Sequence, residues 1–529
     1  MNNIRILVAD PIAEVGVTRL QQVGQVDVIT KQTPEELKAN LPNYDAMVVR
    51  SETKVTDDIL ANAGDRLKVI GRAGVGVDNI DLPAATNKGI IVVNSPDGNT
   101  LAAAEHTMAL ILALARNVPD AVASMRAGEW KRGKFVGVQL YGKTLGVIGL
   151  GKIGREVAAR AKAFEMHVLA YDPYLTDEAA DRLGVTLSTL ERIFRESDFV
   201  TFHVPLTAQT RGLLGAEQLA VMKPSARIIN VARGGIVDEA ALRAAVDEGR
   251  VAGAAIDVFE KEPVPADSPL LGHSKILTTP HLGASTAEAQ IAVVMDVAEQ
   301  IADIMAGKPA RAAVNMPAID PAMYALLKPY LTLAEKLGRL HAQLRWSRVE
   351  TVEITYCGDV AELDVRPVTR AVLKGLLEPL MKESVNYVNA PILAEQRGIK
   401  VVESKMEAPA DYTDLITVTV TSESGRHEIA GTKFGARDIR IVNIEGFRVD
   451  VEPTGLALMA RHHDQPGMIG TVGTLLGNNG INIAGMQVGR HQKRGLALMI
   501  LTVDDEIPEP LLQELLKVEG MDNARPIAF

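Results

Sequence analysis

Three glycines in Gly149-Leu150-Gly151-Lys152-Ile153-Gly154, set between an apolar run and a helix-forming run, restrict this chain more than any other feature. Leu145-Gly146-Val147-Ile148 precedes them without a gap, and Arg155-Glu156-Val157-Ala158-Ala159-Arg160-Ala161 follows. Strand, turn and helix start are therefore predicted at one place, where free N–H groups at a helix N-terminus face a pyrophosphate. Gly149, Gly151, Lys152, Ile153 and Gly154 are the candidate nucleotide contacts. A second strand-like run, Met166 to Tyr171, ends in Asp172, 18 residues beyond Gly154. A carboxylate there accepts hydrogen bonds from ribose hydroxyls and repels a 2′-phosphate, which favours NAD over NADP.

Length and composition bound the rest. A chain of 529 residues predicts about three to four domains. Hydrophobic residues make up 47% but aromatics only 4%, so the core is built from Ala, Val, Leu and Ile, as in parallel sheets covered by helices. A net charge of −10 without a long basic run argues against nucleic acid or an anionic membrane as partner. The single cysteine, Cys357, precludes an intrachain disulfide and suits a reducing cytoplasm. Ile4 to Ala9 reads as a strand rather than a leader, and the most apolar helix, around Thr107 to Ala115, is too short to span a bilayer. No metal-ligand set is expected.

Strand-like runs at Ala46–Val49, Leu67–Ile70 and Ile90–Val93 predict an α/β unit ahead of the glycine loop. A second series follows at 145–148, 168–171, 199–202, 227–231, 254–256 and 276–278, six runs in all, which suffices for a dinucleotide-binding sheet. A helical pattern from Ala287 to about Met305 closes this half, and Pro309, Pro317 and Pro321 are read as a linker. Beyond it, Val352–Tyr356 and Ile416–Val420 alternate apolar and polar residues, predicting half-buried strands of a different domain that runs to about Glu452. The last stretch reads β-α-β-β-α-β, a ferredoxin-like arrangement.

Three side chains complete a parts list for redox chemistry. Arg233 follows the strand Ile228–Val231, and strand C-terminal ends in such sheets face the ligand crevice. A guanidinium there holds a carboxylate through two parallel bonds and polarises the neighbouring carbonyl. Gly234 and Gly235 let a ligand approach the backbone closely. His281, in Thr279-Pro280-His281-Leu282-Gly283-Ala284, also lies past a strand, and an imidazole exchanges protons with an alcohol near neutral pH. Glu262, before Pro263, is placed to orient that ring, although Glu260 is a neighbouring alternative.

The segments VRS (49–51), GRAGVGVDNID (71–81), GLGKIG (149–154), HVPLT (203–207), INVARGGIVDE (229–239), AAIDVFEKEP (254–263) and TPHLGASTAEAQ (279–290) resemble the D-2-hydroxyacid dehydrogenase family across residues 1–316. The resemblance implies that Arg233, Glu262 and His281 are catalytic and that Asp172 binds the ribose. It also implies that Val231, Ala232 and Asp257, with Arg233, His281, Leu282, Gly283 and Ala284, line the cofactor. Two doubly wound parallel-sheet domains are implied, one Rossmann (99–286) and one flavodoxin-like and discontinuous (1–98 with 287–316). A small α+β intervening domain (317–452) and a ferredoxin-like ACT domain (453–529) follow. The two-part tail is similar to that of long-form phosphoglycerate dehydrogenases within the family. That resemblance implies NAD-dependent oxidation of 3-phosphoglycerate, with glyoxylate or hydroxypyruvate reduction as the alternative.

A phosphate needs further cations, and Arg50 and Arg72 are the candidates, with Ser51 and the Gly74-Val75-Gly76 backbone beside them. Trp130-Lys131-Arg132 is read as a loop that reaches a neighbouring subunit. In the tail, His462, Asp464 and Asn482 resemble an L-serine site, although Asp464 stands where regulated members often carry Asn. A homodimer or homotetramer is implied. A dinucleotide-sensing binding protein is the reading from another class, and the complete Arg–Glu–His set argues against it.

Overall fold

The computed structural model describes residues 4–344, 348–382, 384–407 and 411–529. Four sheets follow one another along the chain. The first has five parallel strands in spatial order 2-1-3-4-5, a flavodoxin-like winding. Its second strand, Gln25–Val28, was not anticipated from sequence; it is a short edge strand with half-exposed side chains, so it carries no apolar run. Val8, Val48 and Val69 on one face pack against Val293, Val294, Val297 and Ile301 of the helix Ala287–Met305. The chain therefore returns to the first sheet after leaving the second. Asn315 fixes the return: its side chain accepts from Val92 N–H at 3.0 Å and donates to the Ile90 carbonyl at 2.8 Å.

The second sheet is parallel throughout and has seven strands in Rossmann order, 3-2-1-4-5-6-7. The strand beyond the six expected is Thr186–Leu187, a two-residue edge piece. Strands such as Phe199–Phe202 and Gly253–Ile256 are buried along their whole length because helices cover both faces. The apolar helix Thr100–Ala115 lies against this sheet. No single helix is long and apolar enough to cross a membrane among the described residues.

Pro321 does not belong to a linker. It opens the helix Pro321–Gln343 at its first position, where a missing N–H costs nothing, and the Asp320 side chain caps the helix by accepting from Ala322 N–H at 2.8 Å. This helix crosses Arg366–Leu377 so closely that a Cβ on Gly338 would fall 2.1 Å from the Val372 carbonyl oxygen. Beneath both lies a six-stranded sheet with one parallel pair, the rest antiparallel. The last sheet is antiparallel with four strands in order 2-3-1-4, the ferredoxin-like arrangement. Its Ala457, Leu498, Ile500 and Ile527 join the core of the intervening domain, so the last two units share one apolar interior.

Candidate active site

Gly151 caps the helix Lys152–Ala163, which begins two residues before the third glycine. The glycines do different work. Gly149 has φ +94°, and a Cβ there would lie 2.5 Å from the His203 carbonyl oxygen; one on Gly154 would lie 2.0 Å from the Gly149 carbonyl oxygen. Both positions pack strand, loop and helix tightly. A Cβ on Gly151 would meet nothing within 4 Å, so this point of the loop opens onto a cradle in front of the helix N-terminus. Asp172 stands beside it, accepting from Leu150 N–H and Tyr174 N–H, each at 2.9 Å. Lys152 pairs with Asp97, and Ile153 packs into the core beneath the loop. The cradle, the helix end and the acid fit a dinucleotide.

Across the same sheet edge, Asn230 is buried and clamps the next turn, accepting from Ala232 N–H at 3.0 Å and donating to the Arg233 carbonyl at 2.9 Å. Arg233 projects from that turn. Its Nε donates to Asp78 at 3.1 Å, and a Cβ on Gly76 would lie 2.3 Å from its Nη2, so the guanidinium lies against the first domain. Gly234 is required where it stands, because a Cβ would fall 1.8 Å from the Phe259 carbonyl oxygen. The turn bearing Arg233 and the loop bearing Glu262 are therefore in contact.

Glu262 is the carboxylate that meets the imidazole: His281 Nδ1 lies 2.7 Å from its Oε2, while Oε1 accepts from Phe259 N–H at 3.0 Å. Glu260 takes no part, since it points toward Arg211 at 3.9 Å. Burial pushes the Glu262 carboxyl up, but the His281 bond and the Phe259 N–H outweigh it and hold the group below its ordinary value. His281 itself has φ +53°, a conformation side chains seldom adopt, and it persists only where surroundings enforce it.

Asp257 enforces it. This carboxylate is fully buried and accepts from Leu282 N–H at 2.8 Å, Gly283 N–H at 2.9 Å and the Thr279 hydroxyl, while its backbone carbonyl accepts from His281 N–H at 2.9 Å. His106, from the helix Thr100–Ala115, brings Nε2 to within 3.2 Å. Burial raises the Asp257 carboxyl, yet His106, Thr279 and Leu282 together pull it below its ordinary value. A Cβ on Gly283 would touch Val231 Cγ1 at 3.0 Å, which puts Val231, Asp257 and the Leu282-Gly283-Ala284 run on one surface. His106, Thr279, Asn230 and Asp78 were not singled out from sequence; the last three lay inside the motifs that were read.

The facing wall carries Arg50 and Arg72. Arg72 is the last residue of its strand, its Nε is buried without a partner, and its Nη1 lies 1.6 Å from where a Gly74 Cβ would stand. Burial pushes this guanidinium down to about 10, with Arg233 and then Arg50 adding repulsion against Asp78 and Asp10. Arg50 is held through its backbone, whose N–H donates to Asp10 at 2.5 Å, and its Nη1 reaches the Pro11 carbonyl at 3.4 Å. Ser51 is exposed beside it, and Val75 carries the backbone carbonyl that accepts from Asn94. Three cations thus face one another across the crevice. Trp130, Lys131 and Arg132 are exposed where the chain enters the short 3-10 helix Arg132–Phe135, and Lys131 pairs with Glu129.

The tail residues are not brought together within one chain. Asp464 takes Arg490 at 2.8 Å and Arg494 N–H at 3.1 Å, and His462 is buried beside it with Nε2 unpartnered. Asn482 sits at the other end of the same sheet, donating to Asp504 at 2.7 Å.

Comparison with known proteins agrees with this architecture. The D-isomer specific 2-hydroxyacid dehydrogenase NAD-binding domain matches residues 108–283, the D-3-phosphoglycerate dehydrogenase intervening domain 326–445, and the ACT domain 456–520. A D-3-phosphoglycerate dehydrogenase of Synechocystis is 50% identical over 98% of this chain and 94% of its own. One of Archaeoglobus fulgidus is 47% identical over 98% and 99%. Among solved structures, the TT0316 protein of Thermus thermophilus superposes with a TM-score of 0.55 at 33% identity, covering 59% of this chain and all of the other. The chain belongs to the D-3-phosphoglycerate dehydrogenases, long-form members of the D-2-hydroxyacid dehydrogenase family.

Proposed function

We propose that this chain oxidises the 2-hydroxyl of 3-phospho-D-glycerate with NAD, giving 3-phosphohydroxypyruvate and NADH, the first step of L-serine synthesis. The observation that carries this reading is the convergence of Arg50, Arg72 and Arg233, with the turn that bears Arg233 in contact with the loop that bears Glu262, the partner of His281. One guanidinium suffices for a 2-hydroxy acid, and two more answer to a phosphate. Arg233 holds the carboxylate, and Arg72 with Arg50 receives the phosphate. Glu262 engages Nδ1 of His281, leaving Nε2 to take the hydroxyl proton. Asp257 fixes the loop so that Nε2 is presented at a defined point. NAD, held by the glycine loop and Asp172, supplies the acceptor for the hydride from C2.

A homodimer or homotetramer belongs to the same reading. Val118, Val122 and Met125 are exposed on one helix beside exposed Trp130 and Val136, an apolar face suited to a second copy. A serine site at the ACT domain would then draw His462 and Asp464 from one copy and Asn482 from another. A cytoplasmic location fits the one free, buried thiol, Cys357.

The test is NADH formation from NAD with 3-phosphoglycerate, beside D-glycerate, each with and without L-serine. Turnover confined to the phosphorylated acid is expected, with a lower rate in serine. Equal turnover of glycerate would remove the phosphate from the assignment and leave a general hydroxyacid dehydrogenase.

A further inference from the structure

A second cavity, of about 400 Å³, opens where the first domain meets the intervening domain, away from the crevice. The first domain contributes Lys68, Ile91, Ile304 and Lys308, and the intervening domain contributes faces of the helices Pro321–Gln343 and Arg366–Leu377. Asn386 ties the two sides together by donating to the Gly89 carbonyl at 2.8 Å. The size is that of a small-molecule site, and domain junctions are where such sites concentrate.

The lining has a consistent chemistry. Ile91, Ile304, Ile319 and Leu331 make an apolar floor. Around it stand Lys68, Lys308, Lys328, Lys336 and Arg370, against Glu335 alone. Glu335 is already engaged, with Lys374 on one oxygen and Tyr387 on the other, each at 2.5 Å. Lys308 pairs with Asp303, Lys68 donates to a backbone carbonyl, and Arg370 donates to the Tyr387 and Val388 carbonyls. Lys328 and Lys336 are different. They lie eight residues apart on one face of their helix, with Thr332 between them, and neither ammonium is bonded among the described residues. Lys336 is half-buried, and burial with the neighbouring Arg339 charge holds its ammonium below its ordinary value against the pull of Glu335, whose two oxygens are already taken.

We infer that this junction cavity binds a small organic anion, an acidic head on an apolar body, with Lys328 and Lys336 receiving the head. Such a ligand would touch both domains at once. The cavity shares none of its lining residues with the crevice.

The full-length protein is titrated by calorimetry with octanoate, octyl phosphate and octanol. Saturable binding of at least one of the two anions, one per chain, is expected, and the stronger head identifies carboxylate or phosphate. Octanol should bind about tenfold or more weakly, as should the anion to Lys328→Gln/Lys336→Gln, since a charge-assisted bond is worth about 1.5–3 kcal/mol. Thr332→Trp should block the anion by filling the cavity. Arg72→Ala should leave it unchanged, and NADH formation by the lysine variant should match the parent, showing an intact fold. No saturable binding of either anion would overturn the inference. So would octanol binding as well as the anion, undiminished affinity in the lysine variant, or loss of binding in Arg72→Ala, which would move the anion to the crevice.

Discussion

The two walls of the active-site crevice are held by opposite means. On the cofactor side, the loop and turn around His281 are held by many bonds: Asp257 gathers Leu282, Gly283, Thr279 and His106, Asn230 clamps the Arg233 turn, and Glu262 holds the imidazole. On the facing side, Arg72 leaves Nε unpartnered and confronts two like charges. A group that moves a proton at one atom needs geometry fixed by many bonds. A surface that captures a multiply charged anion is served by repulsion the anion relieves.

The sharpest break in that comparison is His281→Ala. Loss of the proton acceptor should lower kcat by about 10²–10⁴-fold with little change in the 3-phosphoglycerate KM. A KM effect larger than the kcat effect would make the imidazole a binding group and dissolve the contrast between the walls. The facing wall is tested by Arg72→Met, which should raise the 3-phosphoglycerate KM by about ten- to a hundred-fold while barely changing that for D-glycerate. Without ligand, this variant should be no less stable than the parent, because the removed charge is disfavoured by burial and by Arg233. Phosphate should raise the Tm of the parent and not of the variant. Marked destabilisation of ligand-free Arg72→Met would show that the guanidinium is a structural prop.

Asp257→Asn sharpens the other side. The substitution puts an amide N–H against a backbone donor and should cost about 1–3 kcal/mol. Its pH dependence follows from the direction of the shift. A carboxyl held below its ordinary 3.8 contributes its stabilisation in full above that value and loses it as pH falls through the lower folded one. The Tm gap between parent and variant should therefore be steady near neutrality and close below pH 3.8. A gap that widens on acidification would mean that burial wins and the group is held protonated.

What the sequence disclosed follows the range of the interactions. The glycine loop, Asp172, Arg233 and His281 each sit at the end of a strand whose apolar run is local, so their placement is readable from neighbours. The role of Asp257 as a hub is not, because its partner His106 lies 151 residues away and only the fold brings it near. The strands Gln25–Val28 and Thr186–Leu187 escaped notice because edge strands need no apolar run. The shared core of the last two domains left one overlooked trace. Leu496–Val503 is almost continuously apolar where a half-covered strand would alternate, and both of its faces are covered. Pro321 misled because a proline ends one segment and starts the next equally well.

Asp78 joins the walls, and the effect expected of it is the smallest. Its side chain is 75% exposed and its bond to Arg233 crosses from one domain to the other, so the pair is worth about 0.2–1 kcal/mol. Two roles oppose each other there. As a counter-ion, Asp78 lowers the attraction of the crevice for an anion; as a tether, it orients the guanidinium that binds the carboxylate. Arg233 is also fixed through its own turn, where Nη1 donates to the Ala232 carbonyl at 2.7 Å and Asn230 clamps the backbone. The tether is therefore redundant and the counter-ion effect should prevail. Asp78→Asn should lower the 3-phosphoglycerate KM by no more than about fivefold, and the gain should fade with added salt. A rise in KM that persists at high salt would instead show that the ordered wall extends across the domain boundary to Arg233 itself.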